Sequence, residues 1–191
     1  MKNSIYILMF LIISFSLTNC SKPTTIFKGF DCQSTVNIKD LETVLDANNN
    51  FSLDIPKYWK TELYFDNSSS IFTTADTTKQ LTKTYLIKAS LISGKLDLNK
   101  ETIQKIKESI EASNSESILS VKDGLFDNKQ ALLIQSKSNK ETYKKSVLHL
   151  YMPISFKHYF EIEIHCYGTE KVEERFCEAI DHINSLKITE L

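Results

Sequence analysis

The sequence predicts an α+β domain in which an antiparallel β-sheet of about six to seven strands is sandwiched between α-helices. Three observations carry that expectation. Short runs in which apolar and polar residues alternate recur between residues 51 and 167, separated by polar turn clusters, and this two-residue period is that of half-buried strands. Two stretches break the rhythm with helical spacing: Ile103, Ile106 and Ile110 after Asn99, and Val172, Phe176, Ile180 and Ile183 after Gly168. A chain of 191 residues that is 41% apolar and 25% charged has the composition of one globular domain, which excludes disordered and collagen-like classes.

In chain order, residues 1–19 read as a leader rather than as part of the domain. Lys2 precedes an apolar run from Ile5 to Ile13, the pattern of a secretion signal, and a run of that length is far short of the roughly 20 residues that a membrane-spanning helix needs. Leu17-Thr18-Asn19-Cys20 resembles a bacterial lipobox, with Asn19 where a smaller residue is usual. The resemblance implies that Cys20 becomes the mature N-terminus and carries acyl chains, two or three of which anchor firmly where one does not. Ser21, rather than Asp, in the next position implies sorting to the outer membrane, with the protein facing the periplasm. The competing reading is a plain signal peptide cut near Asn19 that leaves Cys20 free. Residues 20–37 then form the lipidated N-terminus and a tether, and residues 38–191 a single domain.

Ile38, Leu41, Val44 and Leu45 open the domain at near-helical spacing, with a short strand as the alternative. Asn48-Asn49-Asn50 is a turn, after which Phe51, Leu53 and Ile55 alternate with Ser52 and Asp54 until Pro56 ends the run. Further strands are expected at about 60–65, 70–75, 84–92, 130–136, 146–152 and 158–167. The first helix is N-capped by Asn99, and the second closes the chain after Gly168. In the last hairpin Leu148, Leu150 and Met152 share a face with Phe160, Ile162 and Ile164. The other face carries Val147, His149, Tyr151, Tyr159, Glu161 and Glu163, with His149 near Glu161 and Tyr151 near Tyr159.

The segment Phe51-Ser52-Leu53-Asp54-Ile55-Pro56-Lys57-Tyr58-Trp59 resembles the opening signature of the PsbP-like superfamily, F-x-(I/L)-x-(I/L)-P-x-x-W. Phe51, Pro56 and Trp59 carry it: the proline closes the strand and the tryptophan plugs the end of the core. The order of elements over residues 43–189 also matches. The superfamily includes extrinsic photosystem II subunits, a nuclear-import factor that binds a small GTPase, and bacterial lipoproteins without known activity. The resemblance therefore implies a binding or assembly module rather than an enzyme.

The residue inventory points the same way. A formal net charge of −1 and a single arginine, Arg175, argue against nucleic acid. The four glycines, Gly29, Gly94, Gly124 and Gly168, are too dispersed for a phosphate-cradling loop, so no nucleotide is expected. Neither G-x-S-x-G nor S-x-x-K occurs. Asp46, Asn48 and Asn50 have the first spacings of a calcium loop, but Phe51 replaces the required glycine and Lys57 the bidentate glutamate, so this is a turn. His165 and Cys166 are adjacent on a strand and point to opposite faces, and Glu178 and His182 read as an i,i+4 ion pair. No metal, cofactor or catalytic set is expected.

Two candidate sites remain. Cys32, Cys166 and Cys177 leave one bridge and one spare thiol in an oxidising compartment, unless all stay reduced. A helix lying about 10 Å above a sheet puts Cys166 and Cys177 too far apart, so Cys32 with Cys177 is the expected pair. If the polar face of the last hairpin stays open, His149, Tyr151, Tyr159 and Glu161 form an aromatic, hydrogen-bonding partner surface; otherwise a helix covers them. The expected function is that of a lipid-anchored, non-catalytic protein-binding envelope lipoprotein. A carrier of a small apolar or lipid ligand is the alternative, and an unrecognised enzyme the third reading.

Overall fold

The computed structural model describes Cys32 and residues 40–114, 116–126, 129–138 and 144–189. The leader, Cys20, Ser21, Ile38 and the tether other than Cys32 lie outside the described residues. Among the described residues the chain forms ten strands in two antiparallel sheets, with two α-helices. β1 (Leu41–Leu45), β2 (Phe51–Pro56) and β10 (Lys187–Ile188) make a three-stranded sheet in the order β1-β2-β10. β3 (Lys60–Phe65), β4 (Ser69–Ala75), β5 (Tyr85–Ser93), β6 (Glu116–Phe126), β7 (Lys129–Ser138), β8 (Lys145–Pro153) and β9 (His158–Tyr167) make a seven-stranded sheet in the order β3-β4-β5-β9-β8-β7-β6. Helix α1 spans Lys100–Asn114 and α2 Val172–Ile183. No described helix is long and apolar enough to cross a membrane.

Successive side chains of a strand point to opposite faces, and β7 shows the consequence. Leu133 joins the main core, formed with Leu150, Ile162, Phe72 and α2 residues Phe176, Ala179, Ile180 and Ile183. Its neighbours Leu132 and Ile134 join a second, smaller core with Tyr151 and Ile110 of α1, against which Ile103 and Ile106 also pack. The two helices therefore use opposite faces of the large sheet. Asn99 caps α1 through its side-chain oxygen, which accepts from the Thr102 amide at 2.9 Å.

The signature segment belongs to the small sheet, not to the large one as the sequence suggested. Phe51, Leu53 and Ile55 are fully buried, and the Phe51 ring meets Phe160 edge-on at 4.9 Å and Phe72 at 6.3 Å. β2 thus lies against the main core as a separate layer beside α2. Trp59 stands 5.3 Å from the Tyr85 ring and 4.9 Å from the His182 ring, at the end of that core. The Asn48–Asn50 turn is held by the buried carboxylate of Asp46, which accepts from the amides of Asn48, Asn50 and Phe51. The same carboxylate accepts from Ser70 on β4, tying one sheet to the other.

One open choice is settled and two expectations are corrected. Residues 41–45 form a strand, β1, because they pair along β2 from Leu41↔Pro56 to Leu45↔Ser52; near-helical apolar spacing over so few residues does not outweigh a ladder. β6 was not expected at all. It is an edge strand with a bulge between Ile118 and Ser120, which interrupts the two-residue alternation that would have revealed it. In the last hairpin the shared apolar face is as expected, but Leu148 pairs with Ile164 and Met152 with Phe160, so His149 faces Glu163, Tyr151 faces Glu161, and Tyr159 faces Pro153.

Candidate functional site

Four neighbouring strands converge their polar side chains on the face of the large sheet beside α1. β8 contributes Lys145, His149 and Tyr151, β9 contributes Tyr159, Glu161, Glu163 and His165, β7 contributes Ser136, and β6 contributes Glu116. His149 and Tyr151 are buried, whereas Tyr159, Glu161 and Glu163 are half-buried. The proposed partner surface of His149, Tyr151, Tyr159 and Glu161 is thus on one face but is not an open patch. Ile110 of α1 packs against Tyr151, His149 is buried, and the register separates Tyr151 from Tyr159.

What the strands build instead is a chain of charges. The Ser136 hydroxyl donates to Glu116 Oε2, and its oxygen lies 3.1 Å from His149 Nε2. Glu116 is also 3.2 Å from the Lys145 ammonium and 3.4 Å from His149 Nε2. Burial alone would raise the Glu116 carboxyl, but the hydrogen bonds from His149, Ser136 and Lys145 more than offset it and hold the group down to about 2. Across β8, the Tyr151 hydroxyl donates to Glu161 at 3.0 Å. Burial and the neighbouring Glu163 charge push the Glu161 carboxyl up despite that bond. For Glu163 burial is outweighed by the His165 bond at 2.7 Å and by Lys88 at 3.6 Å, and its carboxyl is held at about 2. One strand therefore carries two carboxylates, Glu161 and Glu163, whose environments separate their titration.

The residues Glu116, Ser136, Lys145 and Glu163 were not singled out from the sequence. Glu116 sits on the strand that the pattern concealed, and Glu163 depends on a register that a facing pattern alone fixes only to within a two-residue step. A second feature was also missed. β3 is an edge strand and exposes Leu63, Tyr64 and Phe65 at 45%, 58% and 58%. Three consecutive apolar residues in an alternating strand were the available signal, because one face cannot bury all of them.

Cys32 is disulfide-bonded to Cys177 on α2, with a Cα separation of 5.2 Å. Cys166 is buried and free, and burial first among its influences pushes its thiol up to about 12, which makes it an inert core residue. A gap lined by Phe126, Leu133, Leu148, Leu150, Ile164, Ile180 and Ile183 has a volume of about 10 Å³, room for no more than a water molecule.

The fold defines a class: an α+β domain with a meandering antiparallel sheet, an added small sheet and a closing helix, and this is a PsbP-like fold. The solution structure of cyanobacterial PsbP (CyanoP) from Synechocystis sp. PCC 6803 is similar over 82% of this chain and 96% of that one, with a TM-score of 0.53 and 7% identity. The crystal structure of LpqN, involved in cell envelope biogenesis of Mycobacterium tuberculosis, aligns with 78% of this chain and 91% of that one, at TM-score 0.48 and 11% identity. A crystal structure from Bacteroides thetaiotaomicron aligns at TM-score 0.46 and 13% identity over 79% of this chain, which spans about half (49%) of that one. No family model matches the sequence. No curated protein sequence matches it either.

Proposed function

We propose that this is a lipid-anchored lipoprotein of the bacterial outer membrane, facing the periplasm, whose domain binds a protein partner through edge strand β3 and performs no catalysis. The observation that carries this reading is the exposure of Leu63, Tyr64 and Phe65 on that edge. An edge strand presents unpaired backbone groups, and natural monomers usually blunt it with charge, proline or a bulge. Here the outer end of the strand carries aromatics instead, the residue types enriched at interfaces, which suits addition of a partner strand. The lipobox at Cys20 and the pairing of Cys32 with Cys177 fit an oxidising envelope compartment. With α1 and α2 on opposite faces of the large sheet, we describe the domain as the layered helix, sheet, helix arrangement of PsbP-like proteins. Carriage of a small apolar or lipid ligand would require the water-sized gap in the core to open.

The test is site-specific photocrosslinking from position 64 in intact envelopes, with and without Phe65→Lys. One defined adduct is expected, lost in Phe65→Lys without change in melting temperature, and Cys20→Ala is expected to release the protein from the membrane fraction. Adducts that survive Phe65→Lys would overturn the β3 interface, and unchanged partitioning of Cys20→Ala would overturn the anchor.

A further inference from the structure

His149 stands between two sets of carboxylates. On the β6–β7 side the proton assignment follows from the hydroxyl of Ser136. That hydroxyl has one hydrogen and donates it to Glu116, so its contact with His149 at 3.1 Å is accepted from the ring, and Nε2 carries the proton. In the neutral ring Nδ1 then holds the free lone pair. Nδ1 is buried and has no hydrogen-bond partner, on a residue only 3% exposed. Leaving such a buried group unsatisfied is unfavourable, so it calls for a partner. On the β9 side, a ring nitrogen of His149 and one carboxylate oxygen each of Glu161 and Glu163 lie within 4.8 Å of one another.

We propose that His149 Nδ1, Glu161 and Glu163 form a site for a divalent cation of the zinc class. One imidazole and two carboxylates make a borderline-hard donor set that leaves a fourth position for water, and zinc accepts that set in tetrahedral geometry. Ligand atoms around zinc sit roughly 3.4 Å apart, given bonds of about 2.0–2.1 Å, so closure from the observed spacing needs only small side-chain rotations of the two half-buried glutamates. Glu116 supplies the outer carboxylate that a ligating imidazole uses to fix its tautomer, acting directly and through Ser136. Glu163 keeps His165 on Oε2 at 2.7 Å, and Lys88 approaches its Oε1 at 3.6 Å. Glu161 keeps the Tyr151 hydroxyl on Oε1 and has Oε2 to give. Lys88 is the group a cation has to displace, since it competes for the same carboxylate. The site lies on β8 and β9 in the middle of the sheet, so it is independent of the β3 edge.

The test is calorimetric titration of the purified full chain in detergent with Zn²⁺ alone, beside observation of the histidine ring nitrogens by NMR. Saturable binding of a single ion is expected, weakened at least about tenfold by Glu161→Gln and by Glu163→Gln, both isosteric changes at half-buried positions, and strengthened by Lys88→Gln. His158→Gln, at the start of β9, should leave it unchanged. In the wild-type protein the zinc-induced change should fall on His149 Nδ1. No saturable binding, binding unaltered in both glutamine variants, or a response confined to His158, His165 or His182 would each overturn the proposal.

Discussion

The chain's single arginine shows how a residue type expected at a binding site becomes structural. Arg175 is buried in α2 and its Nη1 donates to the carbonyls of Thr84 and Tyr167 at 2.8 and 2.9 Å, while Nη2 donates to that of Glu170 at 2.9 Å. The planar fork thereby ties α2 to the end of β9 and to the entry of β5, a geometry that a lysine point charge does not reproduce. His182, on the same helix, makes a pH-dependent contribution. Its Nδ1–H donates to the Asp54 carbonyl at 3.1 Å and its ring packs on Trp59. Burial lowers its titration below the ordinary imidazole value of about 6.5, outweighing the Asp54 bond and the Asp181 charge, which both raise it. The folded state thus binds a proton less readily than the unfolded chain, so stability from this residue is complete above that value and declines as pH falls below it. Urea midpoints for the wild type should fall between pH 7 and pH 5 more steeply than those of His182→Gln. Parallel slopes for the two proteins would show that His182 is not the group responsible.

Among the elements, the joint between β9 and α2 leaves little room for change. Gly168 has φ +78°, and a Cβ placed there would meet Thr82 Cβ at 3.1 Å, between the short 3₁₀ turn Leu81–Lys83 and the end of β9. The left-handed backbone costs an L-residue about 1–2 kcal/mol, and the crowded Thr82 adds to it. Gly168→Ala should therefore lower the urea midpoint by an amount equivalent to about 2 kcal/mol at unchanged slope; an unchanged midpoint would mean that the joint relaxes freely. The strands that alternate cleanly, such as Phe51, Leu53 and Ile55 or Phe160, Ile162 and Ile164, were legible because one face of each is wholly buried. β6 was not legible, since an exposed edge strand with a bulge obeys neither burial nor period. The site shared this fate: His149, Tyr151 and Glu161 could be placed on one face from sequence, but the Glu116 that sets the His149 tautomer came with the hidden strand. The burial of Tyr151 depended on Ile110 of α1 packing against it, which no local pattern records.

At the scale of the molecule, the small sheet and α2 share a core with the large sheet, and the chain secures this layer from both ends. β10 pairs with β2 through Lys187↔Ser52 and Ile188↔Phe51, so the residues after α2 return to the signature strand. The disulfide then joins Cys32, which precedes β1 in the chain, to Cys177 in the middle of α2, across a sequence separation of 145 residues. In the chain-entropy view a loop of that length restricts the unfolded ensemble by about 5 kcal/mol. Since Cys32 and Cys177 are both only part-buried, losing the bridge removes this constraint without opening a cavity in the main core. The double variant Cys32→Ser, Cys177→Ser should therefore fold to the same structure, with a melting temperature lowered to that of the wild-type protein under reductant. Reductant should produce no further drop in the variant, because Cys166 is buried and free. Equal melting temperatures for oxidised wild type and double variant would show that α2 is held by its apolar face alone. A drop accompanied by loss of β2–β10 amide protection would show that the bridge also sets the register of the small sheet.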